Sequence, residues 1–344
     1  MQQRTFEDIR NIYEHLGNSI SKEIFVNRLL YNFLEEEKYI RKIIGVSNEG
    51  KVFIEQLQNA KRKVIWGAGI WGKEIRETYS SVKFECFVDN NKKETTYCGL
   101  PVIEFKEYLE KYSDATVIIS TRLYYKEIYE QLIVNGIKAE NILNAGKMID
   151  DMSKKQYFDL PELEELKNRD NISFVDAGSF DGRTAVLFNK WRGEKKGKIW
   201  AFEPDSKNIQ KCFEELKRAD ISNFEIINKG LWDKEDKLFF TAKSNGNSQI
   251  SKDGTDVIYV ERLEHLVHDK VDFIKMDIEG AELEAIMGAK KIIQKYKPVL
   301  AISIYHKVED IWSIPKMILE INPSYKFYLG HYSVAAAETV LYAL

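Results

Sequence analysis

The chain has 344 residues, of which 44% are hydrophobic and 31% are charged, and its formal net charge is −3. That length allows two domains with separate cores, and that composition is typical of a soluble globular protein. Because basic and acidic residues nearly balance and form no basic block, we expect no nucleic-acid partner.

Export and membrane insertion are not indicated either. The amino terminus is polar and charged, and no apolar stretch approaches the length of a membrane span. The three cysteines, Cys86, Cys98 and Cys212, are too few and too scattered for a disulfide framework or a zinc site. We therefore expect a cytoplasmic protein with reduced thiols and without membrane insertion.

Residues 1–58 are predicted to form a helical amino-terminal region. Apolar residues recur there at helical spacing, and Gly17, Gly45 and Gly50 divide the region into short helices. A helical cap and a contact between copies in a homo-oligomer are both open interpretations.

Residues 59–146 are predicted to form a small Rossmann-like nucleotide-binding domain. A strand over residues 63–66 leads into Gly67, Gly69 and Gly72, and Asp89 ends the next strand. This spacing matches the dinucleotide fingerprint, and the helix amino terminus after the loop could accept a phosphate. Two alternatives stay open, a ligand-binding loop and a loop that only makes a tight turn. The first would allow an NAD- or nucleotide-sugar-binding oxidoreductase or epimerase.

A charged segment with Pro161, residues 147–170, is predicted to be a linker. Residues 171–344 again alternate strands with helices, which predicts a second and larger α/β unit. The predicted fold class is α/β, with two tandem doubly wound Rossmann-like domains preceded by a short helical region.

A second glycine loop follows the predicted strand that ends in Asp176, and the next strand ends in Glu203. A carboxylate in the position of Glu203 can accept hydrogen bonds from both ribose hydroxyls. A pyrophosphate would be repelled by Asp176 at the strand tip, whereas the cationic groups of S-adenosylmethionine would be attracted. The pattern therefore predicts S-adenosylmethionine as the cofactor. The predicted cofactor-binding residues are Asp176, Gly178, Ser179, Asp181, Gly182, Glu203, Asn228, Gly230 and Asp277.

The predicted catalytic residues are His306 and Asp277, because each follows a buried strand and the carboxyl ends of parallel strands share one crevice. His306 is the candidate general base, and Asp277 either orients the acceptor or acts as the base itself. His331 is a weaker candidate of the same kind. We expect no metal, although Asp277, Glu279 and His306 could bind one; Glu279 could instead cap the helix that begins at Ala281.

A polar loop, residues 244–254, is predicted either to cover the active site, with Ser248 or Gln249 touching a ligand, or to be an ordinary surface turn. Trp232, just after the third strand, could lie near an adenine or pack in the core. Lys275 is interpreted as a snorkelling or salt-bridged strand residue.

From Gln156 to the carboxyl terminus, about half of the chain resembles the FkbM family of S-adenosylmethionine-dependent methyltransferases. The segments that carry the resemblance are residues 175–178 (VDAG), 202–205 (FEPD), 271–281 (VDFIKMDIEGA), 303–306 (SIYH) and 338–342 (ETVLY). One departure is Gly330, where the family often places a basic residue. The resemblance implies a class I methyltransferase domain that methylates a hydroxyl group of a sugar, glycolipid or polyketide.

Relatives with a similar amino-terminal domain resemble enzymes found among surface-polysaccharide genes. The predicted partner is therefore a glycan or a sugar-containing small-molecule acceptor, and the predicted function is O-methylation of a surface polysaccharide or its precursor. A non-catalytic nucleotide-binding or scaffold protein remains a further alternative.

Overall fold

The computed structural model of the protein describes residues 2–193, 196–241, 249–250 and 256–344. Strands and helices alternate through most of this length, and the α/β fold class is as predicted. Of the predicted covering loop, residues 244–254, only Gln249 and Ile250 are described, so Ser248 lies outside the described residues. Among the described helices, none is long and apolar enough to cross a membrane.

The chain divides into two compact units. Unit 1 comprises Met1–Phe25, Tyr157–Gly330 and Thr339–Leu344, and unit 2 comprises Val26–Gln156 and His331–Glu338.

Four helices begin the chain: α1 (Gln2–His15), α2 (Ser19–Leu34), α3 (Glu37–Ile44) and α4 (Asn48–Asn59). Ile40, Ile43 and Ile44 are buried on one face of α3, at the spacing of an amphipathic helix. Ser47 caps α4, because its hydroxyl oxygen accepts a hydrogen bond from the Gly50 backbone N–H at 2.9 Å.

Unit 2 contains a six-stranded sheet whose strand order is β3-β4-β2-β1-β5-β6. Its pairs are parallel except β3 with β4. The apolar strands β1 and β5 are buried in its centre, with helices between them along the chain. The elements are β1 (Lys63–Trp66), α5 (Ile70–Thr78), β2 (Phe87–Val88), β3 (Thr96–Tyr97), β4 (Leu100–Ile103), α6 (Phe105–Lys111), β5 (Thr116–Ile119), α7 (Tyr125–Val134), a 3₁₀ turn (Ala139–Asn141), β6 (Ile142–Leu143) and α8 (Ala145–Lys155).

The remaining elements follow α8 in the chain. They are a 3₁₀ turn (Pro161–Leu163), α9 (Glu164–Lys167), β7 (Phe174–Ala177), α10 (Arg183–Arg192), β8 (Ile199–Phe202), α11 (Ser206–Arg218), β9 (Phe224–Ile227), β10 (Gly230–Leu231), β11 (Asp236–Thr241), β12 (Gln249–Ile250), β13 (Asp256–Glu261), α12 (Leu263–Leu266), β14 (Phe273–Met276), α13 (Glu282–Gly288), α14 (Lys290–Tyr296), β15 (Val299–Ser303), α15 (Asp310–Ile321), β16 (Phe327–His331) and β17 (Thr339–Ala343).

The main sheet of unit 1 has the order β16-β17-β15-β14-β7-β8-β9, and a smaller sheet has the order β10-β13-β11-β12. In the main sheet β17 runs antiparallel to β15, whereas β15, β14, β7, β8 and β9 are mutually parallel. The chain leaves β7 toward β9 on one side and returns to β14 on the other. This reversal creates a crevice at the carboxyl ends of the strands, where ligands bind in open α/β sheets.

An aromatic core fixes the two strands that border this crevice. The rings of Phe174 in β7 and Phe188 in α10 are stacked with their centroids 4.1 Å apart. Phe273 in β14 and Phe158 complete the cluster, with Phe158 within 6.1 Å of Phe174 and 5.7 Å of Phe273. Because these side chains pack tightly, β7 and β14 have little freedom to shift relative to each other.

Candidate functional site

The glycine loop after β7 lies directly against the ends of β8 and β14. The Gly178 N–H donates to the carbonyl oxygen of Phe202 at 3.1 Å. Gly178 has a φ of +78°, and a Cβ atom there would overlap the backbone oxygen of Asp277. Only glycine combines that conformation with so close an approach. The loop therefore brings Gly178, Glu203 and Asp277 to one crevice.

Asp176 lies inside β7 rather than at its tip, because the strand continues to Ala177. Its side chain is fully buried, and Oδ1 lies 3.0 Å from Nζ of the equally buried Lys275 in β14. Burial raises the pKa of Asp176, and the charge of Lys275 opposes that rise. Burial alone would lower the pKa of Lys275, but Asp176 and the neighbouring carboxylates Asp277 and Glu203 raise it. Lys275 is therefore charged.

This ion pair changes the predicted role of Asp176. The sequence suggested a carboxylate that attracts a cationic ligand, whereas in the structure its charge faces the ammonium group of Lys275. Lys275 also donates to the backbone oxygens of Ala177 and Gly178, at 3.1 and 2.8 Å. The pair thus holds the start of the glycine loop in place.

Glu203 follows β8 and ties the glycine loop to that strand. Its Oε2 accepts from the Phe180 N–H at 2.8 Å, and its Oε1 accepts from the Asp205 N–H at 2.9 Å. Burial raises its pKa, and these two hydrogen bonds oppose the rise. A carboxylate has about four acceptor positions, so Glu203 can still accept from ligand hydroxyls.

Asp277 lies at the end of β14 with 24% of its side chain exposed. Burial alone would raise its pKa, but the positive charges of His306 and Lys275 and hydrogen bonds from Tyr157 and Ser303 lower it. The hydroxyl of Tyr157 donates to Oδ2 at 2.9 Å. Asp277 is therefore an ionised carboxylate that reaches the open crevice.

His306 follows β15 and faces a group of carboxylates. Its Nε2 lies 3.5 Å from Oδ1 of Asp277 and 3.7 Å from Oε2 of Glu279, and its Nδ1 lies 3.1 Å from Oε1 of Glu282. Burial alone would lower its pKa, but Glu282, Asp277 and Glu279 raise it to about 9. A protonated imidazole has no lone pair for a proton. At neutral pH the structure therefore favours Asp277 over His306 as the base.

Tyr157 and Glu282 belong to the site but were not predicted from the sequence. Tyr157 was assigned to the linker, yet its hydroxyl reaches Asp277. Glu282 is buried in the first turn of α13, where Oε1 accepts from the Ile278 N–H at 2.9 Å and faces His306. The sequence held one signal for Glu282, an acid in the first turn of a helix next to the predicted crevice.

The other predicted cofactor residues surround the glycine loop. Ser179 is buried, with its hydroxyl 3.3 Å from the Phe202 oxygen. Asp181 accepts from the Arg183 N–H at 3.1 Å, and Gly182 precedes α10 with a φ of +80°. Asn228 donates to the backbone oxygen of Glu203 at 3.0 Å, next to β9. These contacts give each residue a structural task at the rim of the crevice.

Gly230 and Trp232 lie in and beside the smaller sheet. Gly230 begins β10, and Trp232 is partly buried against Ile258 and Val260 of β13. This placement favours the core interpretation of Trp232.

A cavity of about 340 Å³ is lined by residues from the start of α10 and from α11. Its walls are charged and include Asp181 but neither Asp277 nor His306. They are formed by Asp181, Arg183, Lys211, Glu214, Glu215 and Arg218. A ligand pocket usually has mainly apolar walls with a few polar groups, so this cavity does not define the site.

In unit 2, the predicted second nucleotide site is a tight loop between β1 and α5. A Cβ atom at Gly72 would overlap the carbonyl oxygen of Gly67, so glycine is required for the helix to approach the strand. Asp89 accepts from the Ala68 N–H at 2.9 Å, and Gly69 is the residue before α5. The carboxylate of Asp89 thus holds the loop itself, and the second nucleotide site stays a prediction.

His331, the weaker candidate base, is buried in unit 2 with Nε2 2.9 Å from the carbonyl oxygen of Ala335. Burial lowers its pKa to about 3, with the charge of Arg28 acting in the same direction. The residue stays neutral and structural.

Two segments of the chain are similar to known protein families. Residues 176–328 match the family model described as the methyltransferase FkbM domain. Residues 59–143 match the amino-terminal domain described as C2185-like. None of the curated proteins compared with the chain matches it.

Among solved structures, methyltransferase FkbM from Methylobacillus flagellatus KT is 21% identical with a TM-score of 0.50, and the match covers 87% of this chain and 94% of that chain. An rRNA methylase from Streptococcus thermophilus is 16% identical over 53% of this chain and 92% of that one, with a TM-score of 0.36. Aeropyrum pernix fibrillarin with bound S-adenosyl-L-methionine is 12% identical over 56% and 74%, also with a TM-score of 0.36. The first match shows a shared α/β fold.

Proposed function

We propose that the protein is an S-adenosylmethionine-dependent O-methyltransferase that acts on a hydroxyl of a sugar or glycan, such as a surface polysaccharide or its precursor. The observation that carries the proposal is the convergence of Gly178, Glu203 and Asp277 at the carboxyl ends of β7, β8 and β14. These groups meet where the strand order of the sheet reverses.

The residues of the crevice fit the cofactor. Gly178 lets the loop turn closely against Asp277, and Glu203 keeps acceptor positions for two neighbouring hydroxyls. Asp277 supplies an ionised carboxylate whose charge attracts a sulfonium or ammonium group. When bound, S-adenosylmethionine supplies an electrophilic methyl group, which the acceptor oxygen attacks while the carbon–sulfur bond breaks and its electron pair stays on sulfur.

Asp277 accepts the hydroxyl proton as the acceptor oxygen attacks. A sugar hydroxyl is a weak nucleophile, so a base within hydrogen-bond reach assists the reaction. The Tyr157 hydroxyl donates a hydrogen bond to Oδ2 of Asp277, and the Tyr305 hydroxyl lies 3.4 Å from Oδ1 of the same carboxylate. These contacts orient the carboxylate, which matters because most of the rate of an in-line displacement comes from positioning.

The oxygen acceptor and the sugar class come from the family resemblance of residues 156–344. Cys86, Cys98 and Cys212 are free thiols, which fits the cytoplasmic location that we propose.

The test is transfer of a labelled methyl group from S-adenosylmethionine to a panel of glycans and nucleotide sugars. We expect a labelled sugar ether with the wild-type protein and at least a hundredfold lower rate with Asp277→Asn, which keeps the shape of the side chain. Asp159→Asn, outside the crevice, is the control. No labelled product with any hydroxyl acceptor, together with transfer to a nitrogen or carbon acceptor, would reject the O-methyltransferase.

A further inference from the structure

We infer that the phenyl ring of Phe180, in the glycine loop after β7, forms one wall of the cofactor site and packs against the adenosine part of S-adenosylmethionine. The inference rests on the proposed function, because it assigns a further residue to the binding of the same cofactor. Phe180 lies between Ser179 and Asp181, which the sequence predicted as cofactor residues, but it was not itself predicted.

The first argument is the backbone conformation of Phe180. The Gly182 N–H donates to the Ser179 oxygen at 2.7 Å and closes a tight turn whose first central residue is Phe180. Phe180 has a φ of +47°. Turns with a positive φ at that position normally carry glycine, asparagine or aspartate, because a bulkier side chain is strained there. Such strain costs stability and is concentrated at ligand sites.

The second argument is the exposure of the ring, since 44% of Phe180 is exposed. An exposed phenylalanine alone is ordinary, but here the residue that leaves an apolar ring in water is also the strained one. Neither property helps the free protein to fold. A ligand that covers the ring would remove its apolar surface from water. Ligand binding therefore explains this side chain better than folding does.

The third argument is the direct link between Phe180 and Glu203, the residue assigned to the ribose. Oε2 of Glu203 accepts from the Phe180 N–H at 2.8 Å, so the carboxylate fixes the backbone that carries the ring. The same carboxylate keeps acceptor positions for ligand hydroxyls. A ribose that donates to Glu203 is therefore a near neighbour of Phe180.

The position of the ring favours the adenosine part over the methionine part. Nζ of Lys211 in α11 lies 5.6 Å from the centre of the Phe180 ring, and α11 connects β8 with β9. Asp277, whose charge attracts the sulfonium or ammonium group, follows β14 on the other side of β7. The ring thus lies on the side of Glu203. An aromatic ring there can stack on a nucleobase or cover the ribose.

The experiment is calorimetric titration of the full chain with S-adenosylmethionine and with 5′-methylthioadenosine, which lacks the amino-acid part of the cofactor. Phe180→Asn removes the ring and suits a positive φ. Both affinities should therefore fall about tenfold, while the midpoint of urea denaturation stays the same or rises. Phe180→Tyr keeps the ring and should bind both compounds as the wild-type protein does.

Phe213→Asn is the matched control. Phe213 is 42% exposed, and Nζ of Lys217 lies 5.6 Å from the centre of its ring. Phe213 packs against Phe224, the first residue of β9, at the opposite edge of the sheet from the crevice. Its replacement should leave both affinities unchanged.

Equal affinities in the wild-type protein and Phe180→Asn would overturn the inference and leave the proposed function intact. Weaker binding of S-adenosylmethionine alone, with 5′-methylthioadenosine unaffected, would overturn the assignment of the ring to the adenosine part. A wild-type protein that binds neither compound would reject the proposed function and the inference together.

Discussion

Lys275 and Asp176 are paired across neighbouring strands with Nζ 3.0 Å from Oδ1, and both side chains are buried. The two residues are register partners of β14 and β7, the strands that border the crevice. Lys275 also donates a hydrogen bond to the backbone oxygen of Gly178. Two sets of charged residues therefore determine the electrostatics of the site. One is the buried pair of Lys275 and Asp176, and the other is His306 with the carboxylates around it.

Replacing Lys275 by Met should leave the Asp176 carboxylate buried without its counter-charge. Breaking a buried pair in this way costs about 3–5 kcal/mol. Urea denaturation measures the loss, and Lys275→Met combined with Asp176→Leu should recover most of it. The control is Lys198→Met, which breaks an exposed pair with Glu225 at 2.7 Å and should cost less than about 1 kcal/mol. Equal losses in the two single variants would contradict a buried ion pair.

Gly178→Ala should distort the approach of the glycine loop to Asp277. The new Cβ overlaps a backbone oxygen and the residue has a φ of +78°, so we expect a stability loss of about 1–3 kcal/mol and greatly weakened S-adenosylmethionine binding. Gly136→Ala is matched in φ, at +83°, with nothing within 4 Å of the added atom. It should cost some stability and leave cofactor affinity intact. A Gly178→Ala variant that binds the cofactor normally would contradict the predicted loop position.

Tyr157→Phe should lower the methyl-transfer rate about tenfold, because it removes the hydroxyl that holds Oδ2 of Asp277. Stability should fall by only about 1 kcal/mol. Tyr325→Phe, which removes a buried hydrogen bond to the Pro298 oxygen at 2.7 Å, should have a similar effect on stability and none on rate. Steady-state kinetics with varied acceptor measure the difference, and an unchanged kcat in Tyr157→Phe would exclude its positioning role.

His331 should make the protein less stable in mild acid. Burial lowers its pKa to about 3 in the folded protein, whereas the unfolded chain takes up the proton near pH 6.5. The unfolded state therefore binds more protons between these values, and stability falls as the pH drops below about 6.5, by up to about 1.4 kcal/mol per pH unit. His331→Gln keeps a donor for the Ala335 oxygen and should reduce that slope. An identical slope in the variant, measured by urea denaturation from pH 4 to 7, would contradict a neutral buried His331.

The sequence predicted the elements of the crevice well, for a physical reason. Buried parallel strands are short apolar runs, and the residues that follow them lie at one edge of the sheet. Asp277 and His306 follow such strands and meet in the structure at 3.5 Å. Glu203 also lies just beyond its predicted strand, β8.

Contacts that depend on strand register could not be predicted. Lys275 and Asp176 are 99 positions apart in the sequence, and only the alignment of β14 with β7 makes them neighbours. Tyr157 reaches Asp277 from a backbone with a φ of +73°, a conformation that its side chain does not suggest. The pKa of His306 depends on Glu282, a residue that local patterns assign only to a helix start.

The most direct test of the account is calorimetric titration of S-adenosylmethionine into the wild-type protein, Glu203→Gln and Glu225→Gln. Glu203 lies at the crevice, whereas Glu225 is an exposed carboxylate paired with Lys198. We predict one bound cofactor per chain, affinity weakened about 10- to 100-fold in Glu203→Gln because hydrogen bonds to a charged group are lost, and unchanged affinity in Glu225→Gln. No binding to the wild-type protein, or equal affinity in all three proteins, would contradict the assignment of the crevice.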